Sequence, residues 1–209
     1  MSLALRMALS VVCAYLLGSL NFSIIISKFF LHKDIRDYGS GNAGSTNSMR
    51  VMGFQKTLIV IFGDVLKGVA AVKLAVVFAG GDAEMLAVFE AAAGFAVIIG
   101  HSFPVFFSFR GGKGVMTTAA VIACLDITVF FIAISLFIVI VAISKYVSLG
   151  SLIAEWSLPV LFGIFRGFSG DGLVFVVFSA VLAAFVTFQH RSNIKRLAEG
   201  SENKLSFKK

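Results

Sequence analysis

The feature that most constrains this chain is a series of long apolar runs separated by short polar stretches. A helix needs about 20 apolar residues to cross a hydrocarbon core about 30 Å thick. Runs of about this length are Leu3–Leu31, Thr57–Ala79, Met85–Ile99, Tyr146–Phe165 and Gly172–Phe188. They predict a protein that spans the lipid bilayer several times. They exclude a single-anchor protein and a soluble body behind a cleaved signal peptide.

The composition supports a membrane location. Of the 209 residues, 58% are hydrophobic and only 14% are charged, whereas soluble globular proteins carry roughly 25% charged residues. The net charge of +7 would suggest nucleic-acid binding in a soluble protein, but here it bears first on topology, and no nucleic acid is expected as a partner. Cys13 and Cys124 lie inside apolar runs, where thiols behave as small hydrophobes.

The run Val115–Ile143 is too long for one ordinary span. It could form one tilted helix, or two short helices that meet near Leu125 and Asp126. The predicted number of spans is therefore six or seven.

The positions of the basic residues favour seven spans. With seven, the following basic residues share one face: Lys33, Arg36, Arg50, Lys56, Arg110, Lys113, Lys145, Arg191, Lys195, Arg196, Lys204, Lys208 and Lys209. The opposite face receives Asp82, Glu84, Asp126 and Asp171, with Arg6 and Arg166 as its basic residues. Because Lys and Arg concentrate in cytoplasmic loops, we predict an all-α bundle of seven transmembrane helices. Its N-terminus is outside, its C-terminus is cytoplasmic, and residues 1–209 form a single domain.

The first polar segment runs from Tyr38 to Gly53 and is rich in Gly, Ser and Asn. Glycines allow a ligand to approach the backbone closely, and a guanidinium such as that of Arg50 suits a phosphate or carboxylate. The candidate ligand-binding residues here are Ser40, Gly41, Asn42, Gly44, Thr46, Asn47 and Arg50. The alternative is a flexible loop that only joins two spans.

The second polar segment runs from Gly100 to Val115 and contains Gly111-Gly112-Lys113-Gly114 directly before an apolar run. Backbone N–H groups, a helix N-terminus and an ammonium group would together form a phosphate cradle. The spacing does not match a Walker motif, so ATP binding is not supported. The alternative is a turn in which Lys113 is only a topological anchor.

The third polar segment runs from Gln189 to Glu202 and follows the last apolar run. His190 and Asn193 are three residues apart and would share a helix face. An imidazole at the interface can serve as a base near neutral pH. The alternative is a basic amphipathic tail that lies on anionic lipid.

Charged residues also occur within the apolar runs. Asp64 and Lys67 are three residues apart, can pair on one helix face, and could line a polar pocket. The alternative is that Lys67 and Lys73 extend toward opposite interfaces. Glu90 and Glu155 could have either structural or functional roles.

The three polar segments closely resemble the signature motifs of the bacterial acyl-phosphate:glycerol-3-phosphate acyltransferases, the PlsY family. The matching patterns are Gly-Ser-Gly-Asn-x-Gly-x-Thr-Asn-x-x-Arg at 39–50, Gly-His-x-Phe-Pro-Val-Phe with Gly-Gly-Lys-Gly-Val at 100–115, and His-Arg-x-Asn-Ile-x-Arg-Leu-x-x-Gly-x-Glu at 190–202. The resemblance extends from about Gly18 to Glu202. It departs from the usual pattern at Asn21, Ser45 and Gln189.

The resemblance implies transfer of a fatty acyl group from acyl phosphate to the 1-hydroxyl of glycerol 3-phosphate, which gives lysophosphatidic acid and phosphate. This is the first step of bacterial phospholipid synthesis. It implies a multi-pass protein of the bacterial inner membrane with its site facing the cytoplasm, and no required cofactor, metal or protein partner. The expected catalytic residues are Ser40, Arg50, Lys113, His190 and Asn193. The expected substrate-binding residues are Gly41, Asn42, Gly44, Thr46, Asn47, Lys67, His101, Ser102, Gly111, Gly112, Gly114 and Arg191.

The segments also constrain the mechanism. They contain no nucleophile elbow and no Cys–His arrangement, so direct attack by the hydroxyl is simpler than a covalent acyl-enzyme. The proton could pass to His190 or to a phosphate oxygen of the donor. A different class, an anion transporter, predicts polar residues through the membrane midplane and usually a duplicated half, and the sequence has neither feature.

Overall fold

The computed structural model describes residues 1–205, and every regular element in that range is helical. Lys208 and Lys209, which contribute to the charge argument, lie outside the described residues. The chain divides into two compact units, the first from Met1 to Leu125 and the second from Asp126 onward. Each unit is described by itself.

The first unit contains six α-helices and two short 3-10 helices. The α-helices are α1 (Leu3–Ser19), α2 (Phe22–Leu31), α3 (Ser45–Met52), α4 (Phe54–Ala79), α5 (Leu86–Ser102) and α6 (Val115–Leu125). One 3-10 helix, Ile35–Asp37, follows α2, and the other, Val105–Phe107, follows α5. The three long helices form the apolar body of the unit, and the polar segments lie in the connections between helices.

Small residues allow α1 and α5 to pack at backbone distance. A Cβ added to Gly18 would overlap the carbonyl oxygen of Val97, and one added to Gly100 would overlap that of Tyr15. On α4, a Cβ at Gly68 would lie 2.9 Å from the Cβ of Ala120 in α6. Such close approach is typical of helices that associate within a bilayer. It brings α1 against α5, and α4 against α6.

The second unit contains four α-helices. They are α7 (Ile127–Ser144), α8 (Val147–Arg166), α9 (Gly170–Gln189) and α10 (Arg191–Ala198). Asp126 caps α7, because its Oδ1 accepts hydrogen bonds from the N–H groups of Thr128 (2.9 Å) and Val129 (3.1 Å). Its Oδ2 accepts one from Nε of Arg166 at 2.7 Å. In this unit α10, which belongs to the third polar segment, directly follows α9, the last long helix.

The helices follow the apolar runs, although the first run forms two helices, α1 and α2. Five segments within residues 1–205 are long and apolar enough to cross a membrane: Leu3–Leu31, Ala83–Phe107, Ile127–Ser144, Val147–Arg166 and Gly170–Gln189. Helix α4 has 26 residues but carries Asp64, Lys67 and Lys73. The run Val115–Ile143 is broken at Asp126, so the single tilted helix is the wrong alternative. At about 1.5 Å per residue, the 11-residue α6 is shorter than a full crossing.

Candidate active site

Asn21 joins the first two polar segments. It breaks the first apolar run between α1 and α2, and its Oδ1 caps α2 by accepting from the N–H of Ile24 at 3.2 Å. Its Nδ2 donates to the carbonyl oxygens of Ala43 (3.2 Å) and His101 (3.4 Å). The side chain is fully buried. A position that the sequence marked only as a departure from the family pattern therefore holds two connecting loops together.

Asn47 organises the first polar segment from inside. Its Nδ2 donates to the carbonyl oxygens of Ile35 (3.2 Å) and Tyr38 (2.9 Å), and its Oδ1 accepts from the N–H of Ser40 at 2.9 Å. The residue is 2% exposed. Since backbone groups use both ends of its amide, Asn47 shapes the loop.

Other residues of this segment remain accessible. Ser40, Gly41 and Arg50 are exposed, and Asn42 and Thr46 are partly exposed. Gly41 has φ of +71°, a left-handed conformation that glycine adopts without strain. Gly44 precedes α3, and the first N–H groups of a helix have no partner within it. The N-terminus of α3 is thus suited to an anion.

The second polar segment folds back onto the end of α5. The N–H of Gly111 donates to the Ser102 carbonyl at 3.0 Å, and the N–H of Gly112 donates to the His101 carbonyl at 3.1 Å. These two N–H groups therefore donate to carbonyls of the protein itself. In the predicted phosphate-binding loop, the N–H groups that could bind a phosphate are then those at the start of α6. Gly114, with φ of +82°, leads into that helix by accepting from the N–H of Thr118 at 2.7 Å.

Gly112 brings the two segments into contact. A Cβ on Gly112 would overlap the imidazole of His101 and would lie 2.6 Å from the carbonyl oxygen of Ala43. Ala43 directly precedes Gly44 before α3, and Gly112 lies three residues before Val115, where α6 begins. The N-termini of α3 and α6, the positive ends of their dipoles, therefore both lie near the contact between Ala43 and Gly112. Such a site could hold one or more phosphate groups.

A buried ionic cluster lies beneath these loops. Nζ of Lys67 lies 2.8 Å from Oδ1 of Asp64 and 2.9 Å from Nδ1 of His101, and it donates to the carbonyl oxygens of Gly18 and Leu20, each at 3.1 Å. Nδ1 of His101 also lies 3.4 Å from Oδ1 of Asp64. All three side chains are at most 4% exposed. The predicted pairing of Asp64 with Lys67 is confirmed, and Lys67 does not extend toward an interface.

Ser102 is also buried, and its Oγ has no hydrogen-bond partner within residues 1–205. In this arrangement Lys67, His101 and Ser102, which the sequence assigned to substrate binding, lie inside the first unit. The geometry supports a positioning role for Lys67 and His101.

In the second unit, His190 lies where α9 ends and α10 begins. Its Nδ1 lies 2.8 Å from the carbonyl oxygen of Val186. A carbonyl can only accept, so Nδ1 carries the hydrogen and Nε2 carries the lone pair of the neutral ring. Arg191 is exposed, donates to the Phe188 carbonyl at 3.1 Å and stacks over the Phe188 ring.

Glu202, which the sequence marks only as a motif position, anchors Asn193. Its Oε1 accepts from Nδ2 of Asn193 (2.6 Å) and Oγ of Ser148 (2.9 Å), and its Oε2 accepts from Nε of Arg196 (2.7 Å). Burial raises the pKa of Glu202, but hydrogen bonds from Asn193, Arg196 and Ser148 outweigh this effect, and the net shift is downward. A carboxylate that stays ionised holds the Asn193 amide in one orientation.

Within residues 1–205 no group of three or more His, Cys, Asp or Glu side chains is placed to hold a metal ion. The polar groups described above are helix N-termini, cations, amides and imidazoles. These groups suit the binding of anionic oxygens and the transfer of a proton.

Known proteins are similar to this chain over nearly its whole length. A family model described as glycerol-3-phosphate acyltransferase matches residues 8–200. Relatives of that name include one from Thermoanaerobacter sp. (strain X514), 41% identical over 200 residues, and one from Halalkalibacterium halodurans, 43% identical over 202 residues. Each alignment covers 96% of this chain and 96% of the relative.

Two solved structures are similar over nearly the whole chain. Both are crystal structures of PlsY, described as an integral membrane glycerol 3-phosphate acyltransferase. The glycerol 3-phosphate form gives a TM-score of 0.84 at 35% identity and covers 96% of each chain. The lysophosphatidic acid form gives 0.82 at 34% identity and covers 96% of this chain and 95% of that one.

The helices and these likenesses define the class as a multi-pass, all-helical membrane acyltransferase. The chain belongs to the PlsY family of glycerol-3-phosphate acyltransferases. The family predicted from the three sequence motifs is confirmed.

Proposed function

We propose that this protein transfers a fatty acyl group from acyl phosphate to the 1-hydroxyl of glycerol 3-phosphate, and that this reaction begins phospholipid synthesis. The observation that carries the proposal is the close approach of Ala43 and Gly112, which sets the N-termini of α3 and α6 side by side. Both substrates carry a phosphate, and two helix N-termini offset the repulsion between such anions. Relatives named for the acceptor support the same reaction.

Direct attack requires few chemical groups. The 1-hydroxyl oxygen attacks the acyl carbon, the bond from that carbon to the phosphate oxygen breaks, and inorganic phosphate leaves. Arg50 and Lys113 would offset the charge that develops on the departing phosphate. Ser40, Asn42, Thr46 and Asn193 would orient substrate oxygens. The main contribution of the protein is to hold two anions in reacting geometry.

The hydroxyl proton goes either to Nε2 of His190 or to an oxygen of the donor phosphate. The hydrogen bond between Nδ1 of His190 and Val186 supports the first route, because it leaves the lone pair of the ring on Nε2. A donor phosphate that takes the proton would leave as the more protonated, better leaving group. A pH–rate profile of a His190 variant separates the two routes.

We further propose that residues 1–209 act as one enzyme domain in the bacterial inner membrane. In this proposal the chain crosses seven times, with the N-terminus outside and the site open to the cytoplasm. Single cysteines at Lys113 and Lys209, in a chain with Cys13 and Cys124 replaced by alanine, can be labelled in inverted and right-side-out vesicles. We expect equal accessibility from the cytoplasmic side. Opposite accessibility would overturn the seven-span topology.

Donor specificity is the most direct test of the function. Purified protein in detergent or lipidic mesophase should convert palmitoyl phosphate and glycerol 3-phosphate into lysophosphatidic acid and phosphate in equal amounts. Palmitoyl-CoA should not replace palmitoyl phosphate, because it presents no acyl phosphate to the α6 N-terminus. Comparable turnover with palmitoyl-CoA would contradict the proposed donor. Absence of turnover with either donor would contradict the proposed reaction.

A further inference from the structure

Arg36, which the sequence marks only as a cytoplasmic charge, makes an unusually complete set of hydrogen bonds. Its Nε and Nη2 donate to Oδ1 (2.9 Å) and Oδ2 (2.8 Å) of Asp34, a bidentate pair. Its Nη1 donates to the carbonyl oxygens of Phe107 (2.7 Å) and Arg110 (2.9 Å). The guanidinium thus joins the chain just before the first glycine-rich loop to the chain just before the second.

The two carbonyls that Arg36 holds enclose a strained turn. Ser108 and Phe109, the residues between them, have φ of +57° and +56°. Residues other than glycine rarely adopt this left-handed conformation, because it strains the backbone. Strain of this kind persists only where the surroundings impose it. Within the described residues, Arg36 binds the carbonyl at each end of the turn.

The strained turn leads directly into the second polar segment. Arg110 is followed by Gly111, Gly112, Lys113 and Gly114, and then by α6. If the turn relaxed to ordinary φ values, the direction of the chain through these four residues would change. Lys113 and the first N–H groups of α6 would then shift relative to the N-terminus of α3.

We propose that Arg36, oriented by Asp34, is a positioning residue that holds the Phe107–Arg110 turn in its strained conformation. It thereby sets the separation between the two anion-binding helix N-termini. This positioning role rests on the proposed function only where acyltransferase turnover is used to measure it. The planar fork of arginine is needed, because a lysine ammonium cannot bind a carboxylate in bidentate fashion and reach both carbonyls at once.

The carboxylate of Asp34 keeps this arrangement in place across ordinary pH. Hydrogen bonds from Arg36 outweigh burial and hold the pKa of Asp34 at about 2. Lys28 also lies 3.5 Å from Oδ2 of Asp34. The ion pair between Asp34 and Arg36 is therefore intact at the neutral pH at which acyl transfer would be measured.

The test compares Arg36→Lys with Lys33→Ala, which removes an exposed charge from the same connection. At equal amounts of folded protein, kcat/KM for palmitoyl phosphate should fall by about 10²-fold in Arg36→Lys, the loss expected when a reacting group is misplaced by about 1 Å. KM for glycerol 3-phosphate should change far less. Lys33→Ala should behave as the wild type does.

A rescue variant separates positioning from general stability. Ser108→Gly in the Arg36→Lys background should restore part of the turnover, because glycine adopts a φ near +57° without strain. If turnover does not recover, or if Arg36→Lys already matches the wild type in kcat/KM, the proposal is overturned.

Hydrogen exchange tests the same role without relying on activity. The N–H groups of Gly111 and Gly112 should exchange faster in Arg36→Lys than in the wild type, while those of α4 and α5 keep their rates. Unchanged exchange would overturn the inference, and uniformly faster exchange would show that Arg36 only stabilises the fold. A wild-type protein without acyltransferase activity would overturn the proposed function. The hydrogen-exchange comparison would still decide whether Arg36 positions the turn.

Discussion

Nζ of Lys67 lies 2.9 Å from Nδ1 of His101, although the residues belong to different helices, α4 and α5. The same ammonium binds the carbonyls of Gly18 and Leu20 at the end of α1. The backbone of His101 receives the N–H of Gly112. One buried cation therefore connects the broken first apolar run to the loop before α6.

Lys67→Met should destabilise the protein even without substrate. Removing the ammonium leaves the buried Asp64 carboxylate facing the imidazole of His101, 3.4 Å away, and breaking a buried ion pair costs about 3–5 kcal/mol. Thermal unfolding in detergent should show a clear fall in Tm, while Lys73→Met, on an exposed part of the same helix, should not. If Lys67 only bound substrate, Tm would stay constant and KM would rise.

Gly112→Ala should lose turnover because the loop must move. A Cβ there meets the His101 ring and the Ala43 carbonyl, and overpacking of this kind costs about 1–3 kcal/mol. Gly81→Ala controls for backbone strain without a clash, because an alanine is strained at the Gly81 φ of +83° but finds open space around its Cβ. A Gly112→Ala enzyme with wild-type kcat and a higher KM for acyl phosphate would instead support simple hindrance of ligand approach.

Lys113→Ala and Arg50→Ala should each cost on the order of 2–4 kcal/mol of transition-state stabilisation, by analogy with the loss of one oxyanion donor. The cost is read from kcat/KM for acyl phosphate. Arg50→Lys should not restore activity if the guanidinium binds phosphate through two N–H groups. Arg50 lies in the last turn of α3, so full activity of Arg50→Lys would indicate that its charge only complements the helix dipole.

His190→Ala should distinguish the two proton routes. If Nε2 takes the hydroxyl proton, the variant loses most activity together with the acidic limb of the pH–rate profile. If the donor phosphate takes the proton, that limb survives at reduced amplitude. His190→Gln retains a donor near the Val186 carbonyl and serves as the matched control for the position of α10.

Asp34→Asn should lower the stability of the protein in a pH-dependent manner. The folded-state pKa of Asp34 is about 2, below the ordinary value of 3.8. The carboxylate therefore stabilises the fold fully above about pH 4, and this contribution is lost as the pH falls toward 2. The difference in Tm between wild type and variant should be constant from about pH 5 to about pH 8, where Asp34 is ionised in both the folded and the unfolded state. It should shrink on acidification.

The sequence predicted the features that depend on residue type along the chain. Apolar runs located the long helices, and the polar Asp126 within Val115–Ile143 located the break, because its side chain can cap a new helix. Asp64 and Lys67 could be paired from their spacing alone, since residues three apart share a helix face.

The sequence could not predict contacts made to distant backbone carbonyls. Asn21, Arg36 and Asn47 each bind main-chain oxygens. Every residue has such an oxygen, so no sequence pattern marks the particular ones that are bound. The sequence also does not show which side chains of a polar segment are buried, because the segment as a whole has the composition of an exposed loop. For this reason the sequence does not show that Asn47 and His101 have partners within the protein.

The break between α1 and α2 depends on a residue that is synthesised much later. The carbonyls of Gly18 and Leu20 find their donor in Lys67, 49 and 47 positions further along the chain. Carbonyls without a donor are costly inside a bilayer. We therefore expect the first segment to enter the membrane as one straight helix and to bend at Asn21 only after α4 has been inserted. We likewise expect the loop contacts around Ala43 to form once most of the first unit is present.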